Sequence, residues 1–141
     1  MVFREGDARF EGRIAADAVS AALADPDSVM VNRNAGSGTR LLVDGLIGAA
    51  RPPGFWNQPR SHNAVAAAVA QGRADWGVAI ASVARAYGLG FLPLAQEHYD
   101  FAYRATDRDK PALAAFLALL GTAGAEAALT EFGFEPGGGD S

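Results

Sequence analysis

The chain has 141 residues, half of them apolar (50%), with 16 acidic against 12 basic side chains and a net charge of −4. That composition belongs to a folded unit with a core rather than to a disordered segment, and it excludes a nucleic-acid binder that works through bulk positive charge. Cysteine is absent, which excludes a disulfide framework, a thiolate metal site and a cysteine nucleophile.

Val2 and Phe3 end a short predicted strand, and Glu5-Gly6-Asp7 reads as a turn. Met1–Phe10 carries Arg4, Glu5, Asp7 and Arg9 and has no apolar run of the signal-peptide kind. Gly12–Ala24 has helical period, with Ala15, Ala18, Val19 and Ala22 on one face, and Asp25-Pro26-Asp27 stops it. Ser28–Asn32 is a short apolar run of strand type, and Asn34–Gly38 is a loop of small residues. Thr39–Gly48 returns to helical period through Leu42, Val43, Leu46 and Ile47. After the loop Arg51-Pro52-Pro53-Gly54, a strand is expected over Phe55–Gln58. Ser61 opens a helix whose buried stripe is Val65, Ala68, Val69 and Gly72.

Ala74–Ile80 is the next expected strand, and Ser82–Tyr87 a short helix closed by Gly88. Gly90–Leu94 and Tyr99–Tyr103 read as extended. Pro111–Leu120 is a helix with Leu113, Phe116, Leu117 and Leu120 inward, and Gly124–Phe132 is a last helix ending at Gly133. The longest nearly uncharged stretch, Pro111–Ala125, is too short to span a bilayer, so no membrane role and a cytoplasmic location are expected. Residues 135–141, with Gly137-Gly138-Gly139, read as a flexible tail. Strands alternating with helices predict an α/β fold: a three-layer αβα sandwich with a mixed, mostly parallel sheet.

Three places concentrate polar groups. Asn32–Arg40 lies between a predicted strand and a predicted helix. Its glycines let backbone N–H groups converge, the helix start adds unpaired donors and a positive dipole end, and Ser37, Thr39 and Arg40 add hydroxyls and a charge. That combination suits an anion, and it also suits a plain strand-to-helix turn with Ser37 or Thr39 as N-cap. Ser61-His62-Asn63 opens a second helix, where His62 either points into a cleft or faces solvent. Asp75, at the start of a predicted strand, either orients a ligand hydroxyl or accepts N–H bonds as a structural group. Trp56 and Trp76 are expected in the core, and Arg60, Arg73, Arg85 and Arg104 on the surface. His98 is the only other histidine, and neither histidine has the company a metal site needs. No serine or carboxylate spacing singles out a catalytic set or a cofactor site.

These motifs, taken in order, resemble a known family. Asn32-Arg33 with Gly36-Ser37-Gly38-Thr39-Arg40, then Ser61–Val69, then Gly72–Gly77, then Gly88–Leu94 with Glu97, Tyr99 and Asp100 are similar to the periplasmic-binding-protein-like domain of MoeA-type molybdopterin-biosynthesis proteins and molybdate-responsive regulators. The resemblance covers residues 29–105. It implies one lobe of a type II periplasmic-binding-protein-like fold: a second lobe with its C-terminal helices over residues 1–134, the N-terminal lobe being absent. It further implies a non-enzymatic domain that senses or delivers a small oxyanion such as molybdate or tungstate. Ser37, Gly38, Thr39, Arg40, Ser61, His62 and Asp75 are then the expected ligand-binding residues. The face left by the absent lobe is expected to support a homodimer. The alternative role is an interaction module that has lost its ligand.

Overall fold

The structure is a computed structural model that describes residues 1–97 and 99–135. It comprises two compact units, Met1–Gln96 and a second that begins at Glu97. The first contains β1 (Val2–Arg4), α1 (Ala15–Ala24), β2 (Met30–Val31), α2 (Gly38–Ile47), α3 (His62–Ala70), β3 (Trp76–Gly77), α4 (Ala81–Ala86) and β4 (Leu89–Phe91). The second contains a 3-10 turn at Ala105–Asp107, α5 (Pro111–Leu120) and α6 (Ala123–Glu131).

The sheet order is β2-β3-β1-β4. β2 and β3 pair in parallel, with Met30 opposite Trp76 and Val31 opposite Gly77. β1 runs antiparallel to both β3 and β4. Three of the four strands therefore share a direction, and only β1 is reversed. Only the β2–β3 pairing is parallel, because the reversed β1 sits between two codirectional strands. Parallel neighbours need a crossover, and the long α2–α3 passage from β2 to β3 supplies one.

Side chains that alternate along the strands divide the core in two. Met1, Phe3, Met30, Trp76 and Val78 face α1 and α2, where they meet Ala18, Val19, Ala22, Val43 and Ile47. Val2, Val31 and Ala79 face the other way, toward Val65, Ala68 and Val69 of α3 and Ala84 of α4. This is the αβα layering that the sequence predicts. At Gly77 a Cβ would lie 2.7 Å from Val65 Cγ1 and 2.8 Å from Val31 O, so α3 rests directly on the β3 backbone there.

Several expectations shift. α1 starts at Ala15 rather than Gly12, because Gly12 occupies a left-handed turn conformation (φ +73°). Gly72 is exposed beyond the end of α3 (φ +71°), while Val65, Ala68 and Val69 of the expected stripe are buried. Phe55–Gln58 forms no strand. The 53–59 segment still runs along the edge of β2, with Met30 N–H donating to Pro53 O (2.8 Å), Asn32 N–H to Asn57 O (2.9 Å) and Asn34 N–H to Pro59 O (3.2 Å). Pro53 and Pro59 have no N–H to return, so a regular ladder does not form. The Ala74–Ile80 strand shortens to Trp76–Gly77.

In the second unit, Tyr99–Tyr103 is irregular rather than a strand. α5 begins with Pro111 at its first turn, and Thr122 caps α6 by accepting from Ala125 N–H (3.2 Å). No residue of either helix is buried. Leu113, Leu117 and Leu120 are only half-buried, and Phe116 is exposed, its ring edge-to-face with Phe101. Two helices of this length enclose too little space to bury their own apolar stripe. Among the described residues no single helix is long and apolar enough to cross a membrane. His98 and the Gly137-Gly138-Gly139 tail lie outside the described residues.

Candidate functional site

β2 ends at Val31 and the chain continues through Asn32, Arg33 and Asn34 into the turn before α2. Asn32 and Arg33 are almost fully enclosed, at 1% and 7% exposure. The Asn32 side chain sets the local backbone: its Oδ1 accepts from Arg33 N–H (2.8 Å) and its Nδ2 donates to Phe55 O (3.3 Å). Ser37 is the N-cap of α2, with Oγ accepting from Arg40 N–H (3.2 Å) and donating to Asn34 O (3.0 Å). Ser61 is the N-cap of α3, with Oγ accepting from Ala64 N–H (3.1 Å). The N–H groups of Gly38, Thr39, His62 and Asn63, ahead of those bonds, have no intrahelical partner, as at any helix start.

Arg33 joins the two helix starts. One terminal nitrogen, Nη1, lies 3.1 and 3.0 Å from the two ring nitrogens of His62, and the other, Nη2, reaches Arg60 O at 3.5 Å. Its Nε is buried with no hydrogen-bond partner. Among the described residues no carboxylate lies within ion-pair distance of it. The surrounding sequence accounts for this. From Ser28 to Ala74 the acidic side chains reduce to Asp44, against Arg33, Arg40, Arg51, Arg60 and Arg73. Asp44 itself is engaged by Arg40 Nε at 2.7 Å. A buried guanidinium thus faces two positive helix ends without a counter-charge, an arrangement that favours an incoming anion.

The expected site residues separate into groups. Ser37, Gly38, Thr39, Ser61 and His62 all follow the carboxyl edge of β2, with Thr39 buried and Gly38 and Ser61 exposed. Arg40 turns back into the protein: besides Asp44 it donates from Nη1 to Arg33 O (3.1 Å) and lies 4.8 Å over the Phe55 ring. Its charge is already neutralised, so it is not a free ligand-binding group.

Asp75 lies at the opposite edge of the sheet, just before β3. Its Oδ1 accepts from Arg4 (2.7 Å) and Arg9 (2.9 Å), and its Oδ2 accepts from Val29 N–H (2.8 Å) just before β2. Because β2 and β3 are parallel, residues that precede them and residues that follow them sit at opposite ends. Asp75 is therefore a structural clasp rather than a neighbour of Ser37. Burial works against its charge, and the Val29 N–H bond with Arg9 and Arg4 outweighs this, holding its carboxyl below the usual range.

Arg33 is the residue that sequence reasoning underweights. The available signal is an arginine directly after an apolar strand, in a stretch nearly free of acids. Trp56 is also misplaced by sequence reasoning: it is 77% exposed, while its neighbour Phe55 enters the core at 2% and Trp76 is buried as expected. The Pro52–Phe55 turn, closed by Phe55 N–H on Pro52 O (3.1 Å), decides which of the two aromatics faces inward.

The family described as the PBP superfamily domain matches residues 17–121. The chain belongs to this family. The match takes in α1 through α5 and so includes Arg33 and both helix starts. An uncharacterised protein, YvgK of Bacillus subtilis (strain 168), is 37% identical over 79 residues, which is 52% of this chain and 26% of the relative. The matching part thus spans about a quarter of that relative's length. No solved structure matches the chain. As in other PBP-superfamily domains, the α/β framework makes this a ligand-binding type of domain.

Proposed function

We propose that this PBP-superfamily domain binds a small oxyanion at the carboxyl edge of β2, between the starts of α2 and α3. The observation that carries the reading is Arg33, enclosed, charged and without a carboxylate partner among the described residues. Open α/β sheets place ligands at the carboxyl ends of their strands, where the following helices begin. Molybdate and tungstate enter as candidates through the sequence resemblance, with a role in molybdenum-cofactor metabolism or its regulation. The proposed role is binding, not catalysis, in the cytoplasm.

The experiment is a calorimetric titration of the chain with molybdate, tungstate, sulfate and phosphate, paired with thermal melts. At least one anion should bind and raise the melting temperature. Arg33→Met should lower affinity at least tenfold, the loss of about 1.5–3 kcal/mol expected for a charge-assisted hydrogen bond. Without anion the same substitution should leave stability unchanged or slightly raised, because it removes a buried uncompensated charge. An Arg33→Met chain that binds anions as tightly as the native one would falsify the reading.

A second reading is self-association through the second unit. Leu119 and Phe132 of its apolar helical pair are 59% and 64% exposed. Light scattering separates the two: a concentration-dependent dimer indifferent to anions and to Arg33→Met favours this second reading.

A further inference from the structure

We infer that the ligand brings a hydrogen-bond donor as well as its negative charge, so that the site selects an O–H-bearing oxyanion of the hydrogenphosphate type. This rests on the anion-binding reading above and narrows its ligand class. Two consecutive residues at the carboxyl edge of β2 each hold a buried polar atom with no partner: the donor Nε of Arg33 and the acceptor Oδ1 of Asn34. Arg33 is more than nine-tenths buried, and its guanidinium reaches His62, the first residue of α3. Buried polar groups in folded proteins are almost always satisfied, and an unmade bond costs more than an ordinary one contributes. The complementary ligand offers an oxygen lone pair to Arg33 and an O–H to Asn34.

The orientation of the Asn34 amide is fixed by its other end. Nδ2 donates to Ala35 O at 3.2 Å, and reversing the amide would set two oxygens against each other. The unpaired atom is therefore an acceptor, which a fully deprotonated anion cannot satisfy. Sulfate, molybdate and tungstate near neutral pH present lone pairs alone. Phosphate and arsenate keep at least one O–H. Sites built to bond an O–H reject the analogue that lacks it far better than apolar sites reject an extra group. Sulfate and phosphate have nearly the same size and shape, so their comparison isolates the proton.

The test is a 15N-resolved NMR titration of the 141-residue chain with sodium phosphate and, separately, sodium sulfate at pH 7.5 and constant ionic strength. The signals followed are Arg33 Nε–H and the backbone N–H groups of Gly38, Thr39 and His62. Phosphate should bind about tenfold or more tightly than sulfate, with molybdate and tungstate on the sulfate side. Asn34→Leu should weaken phosphate and bring the ratio near one. Should the leucine variant fail to melt cooperatively, Asn34→Asp keeps an acceptor there: both anions weaken by charge repulsion while the preference for phosphate persists. Sulfate binding as tightly as phosphate, or an undiminished preference in a folded Asn34→Leu chain, overturns the inference and leaves the anion site standing. If neither anion moves those signals, the anion-binding reading falls and the inference falls with it.

Discussion

Asp75 and Arg33 show how the same type of group is handled in two ways by one sheet. Asp75 is met by two guanidiniums and a backbone N–H, and Asp7 on the same arginine cluster is paired with Arg9 at 2.7 Å. The side-chain bond from Arg9 depresses the Asp7 carboxyl, and Asp75 is depressed as well. A carboxyl whose folded value lies below its unfolded one adds stability that is complete above the unfolded value, about 4, and is lost as pH falls through the lower folded value. Melting temperature should therefore be flat above pH 5 and drop below about pH 4. Asp75→Asn should shallow that acid slope and cost about 1–2 kcal/mol at pH 7, a moderate figure because Arg4 and Arg9 remain partly in water. An Asp75→Asn chain with the native acid profile would show that the clasp contributes nothing. Nothing comparable neutralises Arg33, which is why the functional reading rests on it and not on Asp75.

The elements that hold the site are two helices of ordinary length with unusually bare first turns. Neither α2 nor α3 has an acidic residue in its first turn, and each is capped by a serine hydroxyl. A carboxylate cap would have served as well for stability, but it would have cancelled the positive helix end that an anion needs. Ser61→Ala removes the bond to Ala64 N–H and should lower stability by about 1 kcal/mol. Ser37→Ala should cost the same or somewhat more, since its hydroxyl also donates to Asn34 O. Chemical denaturation measures both. Ser37→Asp supplies the contrasting case: it should keep the cap and stability within about 0.5 kcal/mol, yet weaken anion binding. A Ser37→Asp chain that retains full anion affinity would mean that the α2 start plays no part in binding.

At the scale of the molecule, both halves of the αβα core are made from residues of the first unit, ending at Leu92 and Leu94. A chain ended at Gln96 should consequently fold with a melting temperature within a few degrees of the full chain, as circular dichroism would show. Loss of cooperative melting would mean that the second unit is needed to complete the fold. Period and punctuation in the sequence were enough to place α1, α2, α3, α5 and the strands β1 and β2, because apolar spacing, glycine and proline act locally. They were also enough to point to the Ser37 and Ser61 helix starts, since capping is a matter of residues three apart. Burial and pairing across the sheet were decided only by the tertiary structure. Parallel pairing of β2 with β3 carries Asp75 to the far edge, away from Ser37. The salt bridge to Asp44 takes Arg40 out of the site. The strip of chain laced along β2 turns Phe55 inward and leaves Trp56 outside. A sequence records which side chains carry charge, but whether a charge is answered depends on what the fold places within a few ångströms of it, and at Arg33 the fold places no carboxylate among the described residues.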